Sequence, residues 1–284
     1  MNIADALSST PISTLDLSRH VTVDPATPVR VTVDAMRAEE RSCACVIDSD
    51  RVVGVFTQRD ILQRVIGRPR VWEVPVSEEM TRRVRTIDNT QSVHDGLDIM
   101  NDWWVRNVPV TGVDESFVGN LSFWTVMQTI ANLLASRIDA TETESTVRDG
   151  LNFVDFTGLN LHPPVTVAVD DSVDVAVHHM KNRGIGSILV VDHREHLAGT
   201  LTEFDLQMQV GCDRPDLDTI AIADVMDPHP NTIPVRSSIA DAIRTLTDHQ
   251  DSHVTLVGET NRPAGVASFR DIAAYVETSL EALA

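Results

Sequence analysis

Lysine is all but missing from this chain: Lys181 is the only one in 284 residues. Bases number 23 in all against 42 acids, a formal net charge of −19, and the arginines form no continuous basic stripe. Such a balance argues against the phosphate-neutralising contacts on which nucleic-acid binding depends. Most of the acids are aspartate. An aspartate-rich, lysine-poor surface suits molar salt, where the screening length shrinks to about 3 Å and self-repulsion largely vanishes. A halophilic, haloarchaeal source is therefore expected, since a GC-rich genome alone would exchange lysine for arginine without supplying the aspartate.

Other scarcities narrow the function further. Aromatics make up only 4% of the residues, which suits small aliphatic core faces. There are three cysteines: Cys43 and Cys45 alternate in an apolar stretch and read as core residues, and Cys212 stands alone. Ten histidines include His178-His179 and His193 with His196, but no second cluster supports a zinc site. The start, MNIADALSST, lacks the basic region and apolar core of a secretion signal. Residues 116–136 carry no formal charge and are long enough to span a bilayer, yet contain Asn120, Ser122, Thr125, Gln128, Thr129 and Asn132. A soluble cytoplasmic protein without membrane partners is expected.

What the chain does have is a four-fold repeat. The segments GVFTQRD from Gly54, GNLSFWT from Gly119, GTLTEFD from Gly199 and GVASFRD from Gly265 are spaced by 65, 80 and 66 residues. Upstream of each lies a helical comb: Val29, Val33, Met36; Val93, Gly96, Leu97, Met100; Val173, Ala176, Val177, Met180; Ile239, Ala242, Ile243, Leu246. From the last tooth to the glycine the distance is 18, 19, 19 and 19 residues, filled by two apolar stretches that read as a β-hairpin. A Thr-Val or Thr-Ile pair opens each unit, at Thr22-Val23, Thr86-Ile87, Thr166-Val167 and Thr232-Ile233. After each glycine, Thr57 with Asp60, Thr202 with Asp205 and Ser268 with Asp271 have the spacing of a capping box, and Gly67 and Gly211 could stop the helices. Each unit is thus predicted as β-α-β-β-α with a right-handed crossover, an α+β fold.

These units resemble cystathionine-β-synthase (CBS) domains in their opening strand, comb, hairpin and closing glycine, two residues, Ser or Thr, two residues, Asp. The resemblance implies four CBS units arranged as two Bateman modules, each pairing consecutive units sheet against sheet around two clefts. The first module is expected over residues 1–135, with units at about 19–67 and 76–135. A polar linker follows over 136–155, and the second module over 156–284 has units at about 156–211 and 222–281. Repeats and linker leave no room for a catalytic domain, and no nucleophile, base and orienting acid can be assembled, so no enzyme is expected.

The family's ligands are adenosyl compounds. The resemblance puts the motif hydroxyl on ribose or phosphate, the aspartate on the ribose hydroxyls, and the opening strand beside the adenine. Carried over, that gives Thr57, Asp60, Thr22 and Val23; Thr202, Asp205, Thr166 and Val167; and Ser268, Asp271, Thr232 and Ile233. Unit 2 keeps Ser122, but Thr125 replaces the acid, and a hydroxyl cannot accept two ribose hydroxyls as a carboxylate does, so that cleft is expected to be weak or empty. Arg59 and Arg270 precede the acid in units 1 and 4, which predicts a preference there for AMP, ADP or ATP if they face the cleft. Glu203 and Phe204 in unit 3 predict tolerance of adenosine or S-adenosylmethionine. Both side-chain sets could instead lie in solvent. Arg82, Arg83 and Arg85 form the one basic cluster, read either as a solvated segment or as a source of one phosphate contact. Two functions remain open: a sensor whose ligand changes the angle between paired units and so signals to an unidentified partner, and a ligand-independent scaffold; a homodimer through the modules is expected, with no cofactor required.

Overall fold

The computed structural model describes residues 3–136, 156, 163–210, 214, 216–249, 251–268 and 271–272. The linker beyond Ser136, Gly211, Cys212 and Arg270 lie outside them. Unit 1 contributes strands β1 (Val21–Val23), β2 (Cys43–Asp48) and β3 (Arg51–Thr57). In unit 2 they are β4 (Ile87–Asp88), β5 (Asn107–Thr111) and β6 (Phe117–Ser122), and in unit 3 β7 (Thr166–Ala168), β8 (Ser187–Val191) and β9 (Leu197–Thr202). Unit 4 completes the set with β10 (Thr232–Pro234), β11 (His253–Val257) and β12 (Pro263–Ser268).

Every unit forms the same small sheet. Its first strand runs parallel to the second and its third antiparallel, in the order first, second, third. Even the irregularity repeats: the hairpin register slips after Val46, Val110, Val190 and Leu256, the same position each time. A bulge conserved across four copies bends each hairpin alike. The combs lie on the crossover helices Val29–Ala38, Val93–Trp103, Val173–Arg183 and Ile239–His249, and their apolar teeth are buried. Each such Val, Leu or Met side chain contributes about 1.5–3 kcal/mol.

The closing helices differ more than the repeat suggests. In units 1 and 3 they are one α-turn, Gln58–Asp60 and Glu203–Asp205, continued by wider π-helical turns, Ile61–Val65 and Leu206–Val210. Unit 2 has an unbroken α-helix, Phe123–Ser136. Gly67 stops the first with φ +76°, a left-handed conformation that glycine adopts without a Cβ penalty. No described helix is long and apolar enough to cross a membrane.

Consecutive units meet through their sheets. Cys43 and Cys45, two residues apart on β2 and so on one face, are fully buried with Val55 and pack against Val84 and Phe117 of unit 2. The two sheets are stitched by Phe117 N–H donating to Asp50 C=O at 2.8 Å and, in the second pair, by Leu197 N–H donating to Asn261 C=O at 2.9 Å. The two pairs then meet through helices. One core joins units 1 and 3, with Met36, Ile61, Met180 and Leu206, and another joins units 2 and 4, with Leu97, Ile130, Ile243 and Leu246. Units 1 and 3 also exchange reciprocal bonds: Arg37 donates to Met208 C=O at 2.9 Å, and Lys181, the lone lysine, to Ile66 C=O at 3.2 Å. The four units thus close a ring.

Candidate functional site

At the centre of that ring lies a cavity of about 660 Å³. Its volume falls within the range of small-ligand sites. All four units contribute to its wall, the arginines coming from units 1 and 2, which also bring Glu40, and the other acids from units 3 and 4. Units 3 and 4 supply Thr202, Asp205, Asp227, Asn231 and Asp251, while units 1 and 2 supply Arg19, Arg41, Arg106, Asn107, Ser122 and Trp124.

The acidic part of the wall is built on the unit 3 motif. Asp205 Oδ2 accepts from Thr202 N–H at 2.8 Å and from its hydroxyl at 2.6 Å, and Asp205 N–H donates back to the hydroxyl at 3.2 Å. The capping box expected there is present. Asp205 Oδ1 receives no hydrogen bond from the described residues. Burial pushes the Asp205 carboxyl above the usual range, the Thr202 bonds pull it back, and Asp227 and Asp251 nearby push it further up. Asp251 is likewise raised, chiefly by burial, against bonds from His253, Asn231 and Ser252.

The segment leading into each unit explains how Asp227 arrives. Six residues before the second residue of each opening Thr-Val or Thr-Ile pair, Leu17, Thr81 and Asp227 cross to the neighbouring sheet and lie on its motif glycine or beside it. Val55 N–H donates to Thr81 C=O at 3.0 Å, Asn120 N–H to Leu17 C=O at 2.9 Å, and Thr200 N–H to Asp227 C=O at 2.9 Å. Glycine is needed at Gly199 because a Cβ would sit 2.6 Å from Asp227 C=O.

The same crossing closes the unit 1 motif. Asp60 is 5% exposed and accepts from Thr57 N–H at 2.8 Å, the Thr57 hydroxyl at 2.9 Å and the Thr81 hydroxyl at 3.2 Å. Arg64, one turn on, lies 3.1 Å from Oδ1, the oxygen that also takes the Thr81 hydroxyl. Burial raises the Asp60 carboxyl; Arg64 and these bonds oppose the rise. Thr57 and Asp60 do not line the cavity, although Gln58 between them does. In unit 2, Ser122 lines it, whereas Thr125 bonds the Ser122 hydroxyl at 2.8 Å and donates to Asp16 C=O at 3.2 Å. Ser268 and Asp271 form their own capping bonds, at 2.6 and 2.8 Å, away from the cavity.

Of the residues singled out from sequence, the structure therefore brings Thr202, Phe204, Asp205 and Ser122 together. The opening-strand residues lie elsewhere: Val167 and Ile233 are buried in the two helix-lined cores, and Thr22, Val23, Thr166 and Thr232 do not reach the cavity. The lead-in segments take the place expected of the strands. Arg59 does not line the cavity; its Nε lies 2.8 Å from Glu203 Oε1. Arg270 lies outside the described residues.

The arginines of the wall stand outside the expected site. Arg19 lies 4.0 Å over the Trp124 ring, a cation–π contact. Arg41 Nε and Trp124 Nε1 are buried donors without a partner among the described residues. Arg106 is ion-paired with Glu203. These residues stand outside the glycine motifs, and only the repeat alignment marks one of them: Arg106 occupies a position that is Ser42, Gly186 and Ser252 in the other units. Among the described residues no cluster could hold a metal ion.

Comparison with known proteins agrees with this architecture. The CBS domain family matches residues 12–67, 74–132, 158–210 and 222–278. The chain is 20% identical to the meiotically up-regulated gene 70 protein of Schizosaccharomyces pombe, over 91% of its own length and 43% of that protein. It is 21% identical to the CBS domain-containing protein CBSCBSPB3 of Arabidopsis thaliana, over 89% and 50%. It thus spans about half the length of these curated relatives. Among solved structures, protein MJ1225 of Methanocaldococcus jannaschii superposes with a TM-score of 0.73 at 16% identity, covering 92% of this chain and 98% of that one. At such identities the likeness is one of fold. With four matches over most of its length, on a ring of four units of matching topology, the chain belongs to the CBS domain family.

Proposed function

We propose that this protein is a non-catalytic regulatory sensor that binds an adenosyl ligand in the central cavity. The ribose hydroxyls sit on Asp205 and Thr202, and the phosphates reach toward Arg106, Arg41 and Arg19. The observation that carries this reading is the state of Asp205: its twin Asp60 is satisfied by Thr81 and Arg64, whereas Asp205 faces an acidic lead-in residue and opens on a cavity whose wall also carries the Arg19, Arg41 and Arg106 guanidinium groups. A carboxylate so placed favours a ligand that donates hydrogen bonds to it. This reverses the assignment expected from Arg59 and Glu203 as separate residues, because each neutralises the other; a nucleoside phosphate such as AMP, ADP or ATP now fits the unit 3 cleft better than S-adenosylmethionine.

Because the cavity is walled by both modules, occupancy biases their relative placement, and a partner protein reads the changed surface. The same reading makes the protein a cytoplasmic homodimer adapted to high salt. Thermal melts in molar KCl with adenosine, AMP, ADP, ATP and S-adenosylmethionine test it. A shift that the Asp205→Ala variant loses is the expected result. No shift with any of them leaves the scaffold reading, which the self-filled motifs of units 1 and 2 favour.

A further inference from the structure

Two departures from the four-fold repeat meet at one point. The residue after the motif hydroxyl is Gln58, Phe123 and Phe269 in units 1, 2 and 4, but Glu203 in unit 3. The residue before the second strand of the sheet is Ser42, Gly186 and Ser252 in units 1, 3 and 4, but Arg106 in unit 2. In the folded chain Arg106 and Glu203 are ion-paired across the module boundary, beside Arg59 of unit 1. Gly186 makes room for them, since a Cβ there would lie 3.2 Å from Glu203 Oε2. Glu203 is only 2% exposed, while Arg106 also lines the cavity.

A buried carboxylate normally cannot lose its counter-ion without a large penalty. Here it has two. If Arg106 turns to an anion in the cavity, Arg59 still neutralises Glu203. We infer that Glu203 is a specificity-determining residue of the cavity, an internal anion that competes with the ligand's phosphoryl oxygens for Arg106. The inference rests on the adenosyl reading for the ligand's other end, but not for the competition itself. Ligands without phosphate leave the pair intact; those with several phosphates draw Arg106 away and loosen a contact between the modules. The chain thereby grades its ligands by charge.

Calorimetric titrations of the full chain with adenosine, ATP and inorganic tripolyphosphate decide the matter. Glu203→Gln keeps the shape and installs the residue that unit 1 carries. It is expected to tighten ATP and tripolyphosphate about tenfold, the scale of one charge-assisted hydrogen bond, and to leave adenosine unchanged. Glu203→Asp, which withdraws the charge by one methylene, shifts them in the same direction by less, and serves if the glutamine variant melts without a cooperative transition. Arg106→Gln abolishes tripolyphosphate binding and spares adenosine. A folded Glu203 variant that binds tripolyphosphate no more tightly than the wild type overturns the competition, as does an Arg106→Gln variant that retains it. Failure of both adenosine and ATP to bind any of these proteins overturns the adenosyl reading, and the tripolyphosphate comparison still stands or falls by itself.

Discussion

Units 1 and 3 place the same four-residue motif on the same backbone and surround it oppositely. Asp60 and Asp205 each close a capping box with a threonine three residues earlier. One turn on, the first has Arg64 and the second Gln209. From the neighbouring lead-in segment the first receives the Thr81 hydroxyl and the second meets Asp227. The first acid therefore completes its hydrogen bonds inside the protein, and the second is left with an electrostatic demand that the protein does not meet. Two residues outside the motif thus set the surroundings of the two acids apart.

The largest effect that can break this comparison is ligand stabilisation. At a concentration about 100 times Kd, ATP is expected to raise the unfolding free energy by roughly 2.7 kcal/mol in the wild type and in Asp60→Ala, and not at all in Asp205→Ala. Denaturant midpoints with and without ATP check this; equal loss in both variants would erase the distinction between the two motifs. Next come the glycines. Gly199→Ala drives a Cβ to 2.6 Å from a backbone oxygen and is expected to cost about 2 kcal/mol. Gly54→Ala meets instead the thioether of Met80, at 2.3 Å, which can rotate, so a cost of about 1 kcal/mol or less is expected. Chemical denaturation of both ranks them, and the reverse order would show that the Met80 side chain cannot give way.

Smaller still is the loss of each cap without ligand. Asp60→Ala is expected to cost about 1 kcal/mol, and Asp205→Ala less, because the second substitution also relieves repulsion by Asp227 and Asp251. The smallest effect is in the pH profile. Since the Asp205 carboxyl is raised in the folded state, its ionisation destabilises the fold as pH climbs from the ordinary aspartate value, about 3.9, through the raised one. Asp205→Asn therefore gains stability over the wild type at neutral pH, and the gain fades as pH falls toward 4. Urea midpoints across that range measure it; a gain that grew on acidification would give the opposite sign.

Much of this was legible before any coordinates. Four combs, four hairpins and four glycines are periodic, and periodicity reports which face of a local element is buried; the teeth of every comb are buried as expected. Pairing of Cys43 with Cys45 on one face followed from the two-residue repeat of a strand. The π-helical widening after Asp60 and Asp205 left no mark in the pattern, because its apolar residues also fit an α-helix. The cavity was half legible. Thr202, Asp205 and Ser122 lie in the motifs, but Arg19, Arg41 and Trp124 belong to no repeated string, and Asp227 and Asn231 sit in a segment that reads as a loop.

The sequence by itself determined the unit, its four copies, their capping boxes and the acidic, nearly lysine-free surface, because each of these depends on residues within a few positions of one another. Tertiary structure alone decided which aspartate is spare. That choice depends on the residue a neighbouring segment carries across, on Arg59 and Glu203 meeting from units 1 and 3, and on Arg106 joining them from unit 2. Charges that look opposed along the chain cancel when the ring closes, since Coulomb attraction follows distance in space and not separation in sequence.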